Sequence, residues 1–140
     1  MKIKLTHKSE YHSIIENQNG NSIEIDNKSD LNPKGVSPME LLLMGVAGCS
    51  SIDIISILKK QKQEFNNLYI EVEGKREGEE LPSLFKKIHA NVFVEGNVDS
   101  KKAYKASELS FTKYCSVSKT LEATAEITFS VYVNNQICNK

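Results

Sequence analysis

Arginine is almost absent from this chain. Arg76 is the only one in 140 residues, and lysine supplies the rest of the positive charge. A planar guanidinium fork suits bidentate recognition of an oxyanion, so lysines must do most of any such work. An excess of charge is missing too: Lys and Arg total 18, Asp and Glu total 18, and the formal net charge is zero. That excludes nucleic-acid or membrane-surface binding driven by general charge. Cysteine is sparse. Three residues are an odd number and too few for a secreted disulfide scaffold. There is no C-x-x-C pair, and His7, His12 and His89 are scattered. Zinc sites usually show a close ligand pair, so no metal and no other cofactor is expected. Gly-rich phosphate loops and Ser-His-Asp arrangements are also missing. No apolar h-region follows Met1-Lys2-Ile3-Lys4-Leu5, so a reducing cytoplasm is the expected setting.

What is present suits one domain over residues 1–140. A monomer of this size buries about 70% of its unfolded surface, enough for a core without staples. Residues up to 27 read as strands: Ile3, Leu5 and His7 alternate with polar residues, and Ile23 and Ile25 alternate after the turn-like Asn17-Gln18-Asn19-Gly20-Asn21. Asp30 to Gly35 reads as a loop. Ser37-Pro38-Met39-Glu40 is a helix start, with Ser37 as cap, Pro38 at the first helical position and Glu40 closing a capping box. That helix is expected to run to about Lys62.

Its first half is apolar almost all round, which predicts burial on most sides. Leu41 to Leu58 is long enough to span a membrane, but Asp53, several serines and two glycines lie inside it. A helix buried in protein is the better reading. Gly45 and Gly48 cost about 1 kcal/mol each relative to alanine, which points to close approach by another helix or backbone. So short a chain has little material to surround this helix, and a dimer would supply the cover.

Downstream, Leu68-Ile70-Val72 and Ile88-Ala90-Val92-Val94 alternate as a hairpin pair of strands. Asp99-Ser100 cap a second helix carrying Ala103, Tyr104, Ala106, Leu109 and Tyr114, and Ser116 opens a short helical turn. Ala123 to Val133 reads as the last strand. The order βββ-α-ββ-α-β gives the class α+β.

Cys49 and Cys115 are the chemically interesting residues. They stand 66 positions apart, so only the fold can bring them together. Cys49 lies in an apolar helix, where a small core hydrophobe is the plain reading. Asp53 is one helical turn on and shares its face, and a carboxylate there disfavours a thiolate. Cys115 precedes a helix start and Lys119 follows at i+4; both favour its anion. It is otherwise an ordinary loop cysteine, with Ser116 or Ser118 as the cap. Cys138, two residues from the end, reads as a frayed, incidental thiol. His7 and His12 read as solvent-facing.

Two segments together resemble the OsmC/Ohr family of thiol-dependent peroxide-handling proteins. They are Ser37-Pro38-Met39-Glu40-Leu41-Leu42 with Ala47-Gly48-Cys49, and Tyr114-Cys115-Ser116-Val117-Ser118-Lys119-Thr120-Leu121. The likeness covers nearly the whole chain and is greatest to an OsmC-like branch with a Cys-(Pro/Ser)-Val-Ser-Lys second motif. It implies an intertwined homodimer with a long buried central helix. It implies a cysteine-based peroxidase acting on organic hydroperoxides: Cys49 attacks the peroxide, Cys115 resolves the product as a disulfide, and a dithiol reductant restores the pair. Glu40 is a candidate third site residue. Family members with the clearest peroxidase motif carry the glutamate directly after proline; here Met39 intervenes, a rotation of about 100°, which favours Glu40 as a cap over a site residue. Family members are also expected to hold the attacking thiolate with an N-terminal arginine. None precedes Arg76, and Lys28 and Lys34 are the candidate substitutes. The alternative is a non-catalytic dimer of the same fold that binds a small apolar ligand.

Overall fold

The computed structural model describes residues 1–140. The chain divides into two compact units, Met1–Leu42 and Leu43–Lys140. The first holds a three-stranded antiparallel sheet in the order β1 (Ile3–Ser9), β2 (His12–Asn17), β3 (Ser22–Ile25). The asparagine-rich turn closes on itself: the Asn17 side-chain oxygen accepts the N–H groups of Asn19 and Asn21 at 2.9 and 3.0 Å, and Gly20 takes φ +82°. After β3 the buried Asp26 organises the loop that follows. Its carboxylate accepts the N–H groups of Asn27 (2.7 Å) and Lys34 (2.9 Å). These bonds, that to Lys34 first, hold its carboxyl below the usual range. Val36 then bridges back to Ile25, and a Cβ on Gly35 would collide with the Glu24 carbonyl.

Ser37 and Glu40 form the expected capping box. The Ser37 N–H donates to Glu40 Oε2 at 2.8 Å and the Glu40 N–H to Ser37 Oγ at 3.3 Å. Helix α1 follows over Pro38–Lys60. It stops two residues before the expected Lys62, which takes φ +55° and turns the chain left-handed.

The second unit builds on a four-stranded sheet in the order β4 (Glu64–Arg76), β5 (Phe85–Asn97), β6 (Glu126–Val133), β7 (Gln136–Cys138). β4 and β5 form the expected antiparallel pair, whereas β5 and β6 run parallel across the helical crossover. Helix α2 (Ser100–Leu109) starts at Asp99, which accepts the Lys102 N–H. It does not continue regularly to Tyr114: Ser110–Tyr114 is a π-helical turn, and α3 (Ser116–Leu121) follows. The last strand begins at Glu126 rather than Ala123. β7 was not expected, and it corrects the reading of Cys138: paired with Val131, this thiol is buried in the core, not frayed.

The core joins Val46, Ile54 and Leu58 of α1 to Ala90, Val92, Val94 and Val131 of the sheet and to Ala103, Ala106 and Phe111. Burying each large aliphatic side chain contributes about 1.5–3 kcal/mol. Within a single chain the helix is buried along one side. Val46, Ser50, Ile54 and Leu58 form one buried stripe at four-residue spacing, while Met44 and Ile52 are 46% and 68% exposed. By length and composition α1 could cross a membrane, yet its buried stripe belongs to a protein core.

Candidate active site: a thiol pair beside a carboxylate

Two elements of the second unit bring the site together. Helix α1 carries Cys49 and, one turn later on the same face, Asp53. The π turn and the start of α3 supply the opposite side. A π turn carries an extra residue per turn, and here the Cys115 N–H donates to the Ser110 carbonyl at 2.8 Å, closing it. Both ends of that turn reach α1. At its start, Ser110 Oγ donates to Asp53 Oδ2 at 3.1 Å. At its end, Cys115 meets Cys49: the two sulfurs and an Asp53 oxygen all lie within 4.8 Å of one another. Gly45 permits this approach. A Cβ there would stand 3.3 Å from Val117 Cγ1 of α3, a tight contact. Gly48 has nothing within 4 Å of such a Cβ, so only one of the two glycines faces a neighbour within the chain.

The environments of the sulfurs differ. Cys49 is half-buried; Cys115 is fully buried. Cys115 is itself the cap of α3, a place the sequence left open to Ser116 or Ser118. Its sulfur accepts the Ser118 N–H at 3.4 Å and the Ser118 hydroxyl at 3.1 Å. Burial pushes the Cys115 thiol above its ordinary value, the two Ser118 bonds pull the other way, and the Cys49 sulfur beside it adds to the upward push. The expectation that the helix start and Lys119 favour the Cys115 anion is thereby corrected. Lys119 gives it no help, because its ammonium pairs with Glu122 at 2.9 Å on the surface.

Other candidates lie elsewhere. The Glu40 carboxyl is held below its usual range, first by the Ser37 N–H, then by the Ser37 hydroxyl, with Lys28 adding a favourable charge. Arg76 ends β4 with its guanidinium 5.7 Å from the Phe85 ring centroid. His7 bonds the Glu10 carbonyl, His12 stands 3.4 Å from Glu24, and His89 bonds Thr128 and Ser130; none joins the thiols. Nor do His7 and His12 form a like pair at the surface, since the His12 side chain is only 15% exposed. Asp53 shares a helical face with Cys49 by its i,i+4 spacing, which in the sequence reads only as a charge unfavourable to a thiolate. Ser110 carried no signal. Asp53 also lines a cleft of about 340 Å³ with Ser56, Ile57, Lys60, Leu109 and Tyr114.

Fold and site define a class: an α+β protein with two free thiols converging from a long helix and a helical crossover. Comparison with known proteins makes the assignment. A family model described as OsmC-like protein matches residues 31–130. Protein YhfA of Escherichia coli strain K12 is 40% identical over 120 residues, which cover 84% of this chain and 87% of YhfA. A crystal structure from Aquifex aeolicus VF5 superposes with a TM-score of 0.80 at 31% identity, over 95% of this chain and 96% of that one. An organic hydroperoxide resistance protein from Elizabethkingia anophelis shares the fold, with a TM-score of 0.73 at 16% identity over 96% and 97% of the two chains. The chain belongs to the OsmC-like protein family.

Proposed function

We propose that this protein reduces organic hydroperoxides through Cys49 and Cys115. The observation that carries the reading is the approach of these two sulfurs within 4.8 Å across 66 positions of sequence. The fold shared with a protein named for organic hydroperoxide resistance supports it. In the first step Cys49, as thiolate, attacks the terminal peroxide oxygen. The S–O bond forms, the O–O bond breaks, and the alkoxide leaves and takes a proton from solvent. Cys49 is then a sulfenic acid. Cys115 attacks that sulfur, the S–S bond forms, and water leaves carrying the Cys115 proton. A dithiol then reduces the pair by exchange and is itself oxidised. The buried, protonated Cys115 suits the resolving role, and the half-buried Cys49 suits attack. Glu40 is assigned to capping α1, because its carboxylate is already engaged by Ser37. A reducing cytoplasm keeps both thiols free between turnovers.

The same proposal includes a homodimer. Met44, Gly48 and Ile52 form an open stripe at four-residue spacing on α1, and a second copy of the chain would cover it. Those residues also favour a second reading, a dimer that binds a small apolar ligand without catalysis.

The deciding experiment treats the reduced protein with one equivalent of cumene hydroperoxide and maps thiols by mass spectrometry, alongside Cys49→Ser and Cys115→Ser. A Cys49–Cys115 disulfide in the parent and a trapped sulfenic acid in Cys115→Ser are expected. Thiols left unmodified by excess hydroperoxide overturn catalysis and leave the ligand-binding reading.

A further inference from the structure

We propose that the reduced protein binds a thiophilic divalent cation of the zinc class through Cys49, Asp53 and Cys115. The site uses the same sulfurs as the proposed peroxide chemistry but requires no reaction with peroxide.

The donor set is the first argument. Two sulfurs and a carboxylate oxygen lie within 4.8 Å of one another and converge from two separate elements. Zinc–sulfur bonds of about 2.3 Å and zinc–oxygen bonds of about 2.1 Å place donors roughly 3.5–3.8 Å apart in a tetrahedron. The three donors therefore need to close by at most about 1.3 Å. Cys49 and Asp53 occupy i and i+4 of one helix, the spacing by which helices present two ligands to one ion. Sulfur ligands select zinc, cobalt or cadmium over magnesium and calcium.

Groups around the donors fit the same reading. Metal ligands are usually oriented by hydrogen bonds from an outer layer. Ser110 holds the Asp53 carboxylate, and Ser118 donates both its N–H and its hydroxyl to the Cys115 sulfur. Asp53 makes no ion pair within the chain, so a bound cation would supply a positive partner that no lysine, arginine or histidine of the chain supplies within ion-pair distance. With the histidines elsewhere, three protein ligands leave a fourth position for water. Of the three donors, Asp53 lines the cleft described above. Metal and disulfide exclude each other, because each uses both sulfurs.

The test is an anaerobic titration of the reduced, metal-free full chain with cobalt(II). One equivalent should produce a thiolate-to-cobalt charge-transfer band with the visible bands of a four-coordinate site, and zinc(II) should displace it. Asp53→Asn, nearly isosteric, should weaken cobalt binding at least tenfold with unchanged circular dichroism. Cys49→Ser should lose most of the charge-transfer intensity, and Cys138→Ala should keep it. No band in the parent, undiminished affinity in Asp53→Asn, or loss of the band in a folded Cys138→Ala each overturns the site. A chain that forms the Cys49–Cys115 disulfide with hydroperoxide but shows no cobalt band loses this inference alone. The reverse pattern overturns only the peroxidase reading.

Discussion

Ser110 donates its hydroxyl to the carboxylate of Asp53 at 3.1 Å, across 57 positions of sequence. This bond ties the π turn to α1, and the thiol pair sits beside it. A hydrogen bond to a charged group contributes about 1.5–3 kcal/mol. Ser110→Ala should therefore destabilise the protein by about that amount in urea denaturation. It should also slow hydroperoxide-driven disulfide formation in stopped flow, because Cys115 ends the same turn. A variant with parental stability and rate would remove the tie from the account.

Cys115 should resist modification. It is fully buried with its thiol held up, whereas Cys49 is half-buried. Iodoacetamide at neutral pH should label Cys49 well before Cys115, read by peptide mass. The Cys115 rate should climb only as the pH passes above the ordinary cysteine range, since a raised thiol stays protonated longer. Faster labelling of Cys115 would contradict the assignment of resolving thiol.

The two glycines of α1 should behave oppositely. Alanine at either position gains about 1 kcal/mol in helix propensity. At Gly45 the new methyl stands 3.3 Å from Val117 and spends that gain, so Gly45→Ala should be close to neutral and Gly45→Leu should separate α3 from α1. At Gly48 nothing within the chain opposes the methyl. Gly48→Ala should stabilise a monomer by about 1 kcal/mol. If a second copy packs on this stripe, the same change should weaken the dimer in light scattering.

Asp26 gives a pH signature. Its folded carboxyl is depressed by the N–H groups of Lys34 and Asn27. A depressed carboxyl stabilises the fold above its unfolded value, about 3.9, and this contribution is lost as pH falls through the lower folded value. Asp26→Asn should thus be less stable than the parent at pH 7, with the gap closing below about pH 4. A gap that persists to lower pH would mean the loss is steric.

Ile54 is fully exchanged from water into the core shared by α1 and the sheet. Ile54→Ala should cost about 2–5 kcal/mol in chemical denaturation. A much smaller cost would place the helix outside that core.

Local features of this protein were legible in advance. The capping box of Ser37 and Glu40 needs only residues three apart, and the asparagine turn closes within five residues. The alternation of β4 and β5 follows from one face meeting a core. The apolar length of α1 was visible, but which of its sides is buried was not, because an all-round apolar helix has no polar face to mark its outside. The regular helix expected to reach Tyr114 gave way to a π turn, since composition does not register one extra residue in a turn.

The sequence by itself determined an α+β chain with two noteworthy cysteines, an even charge balance and a helix too apolar to stand alone. Tertiary structure decided what the cysteines are to each other. Parallel pairing of β5 with β6 carries the crossover back, and the π turn aims Cys115 at Cys49 and Ser110 at Asp53. Cys138 became core through β7 in the same way. These contacts join residues too far apart in sequence for spacing to encode. Local rules act over a few residues, while the site depends on where two packed elements come to rest.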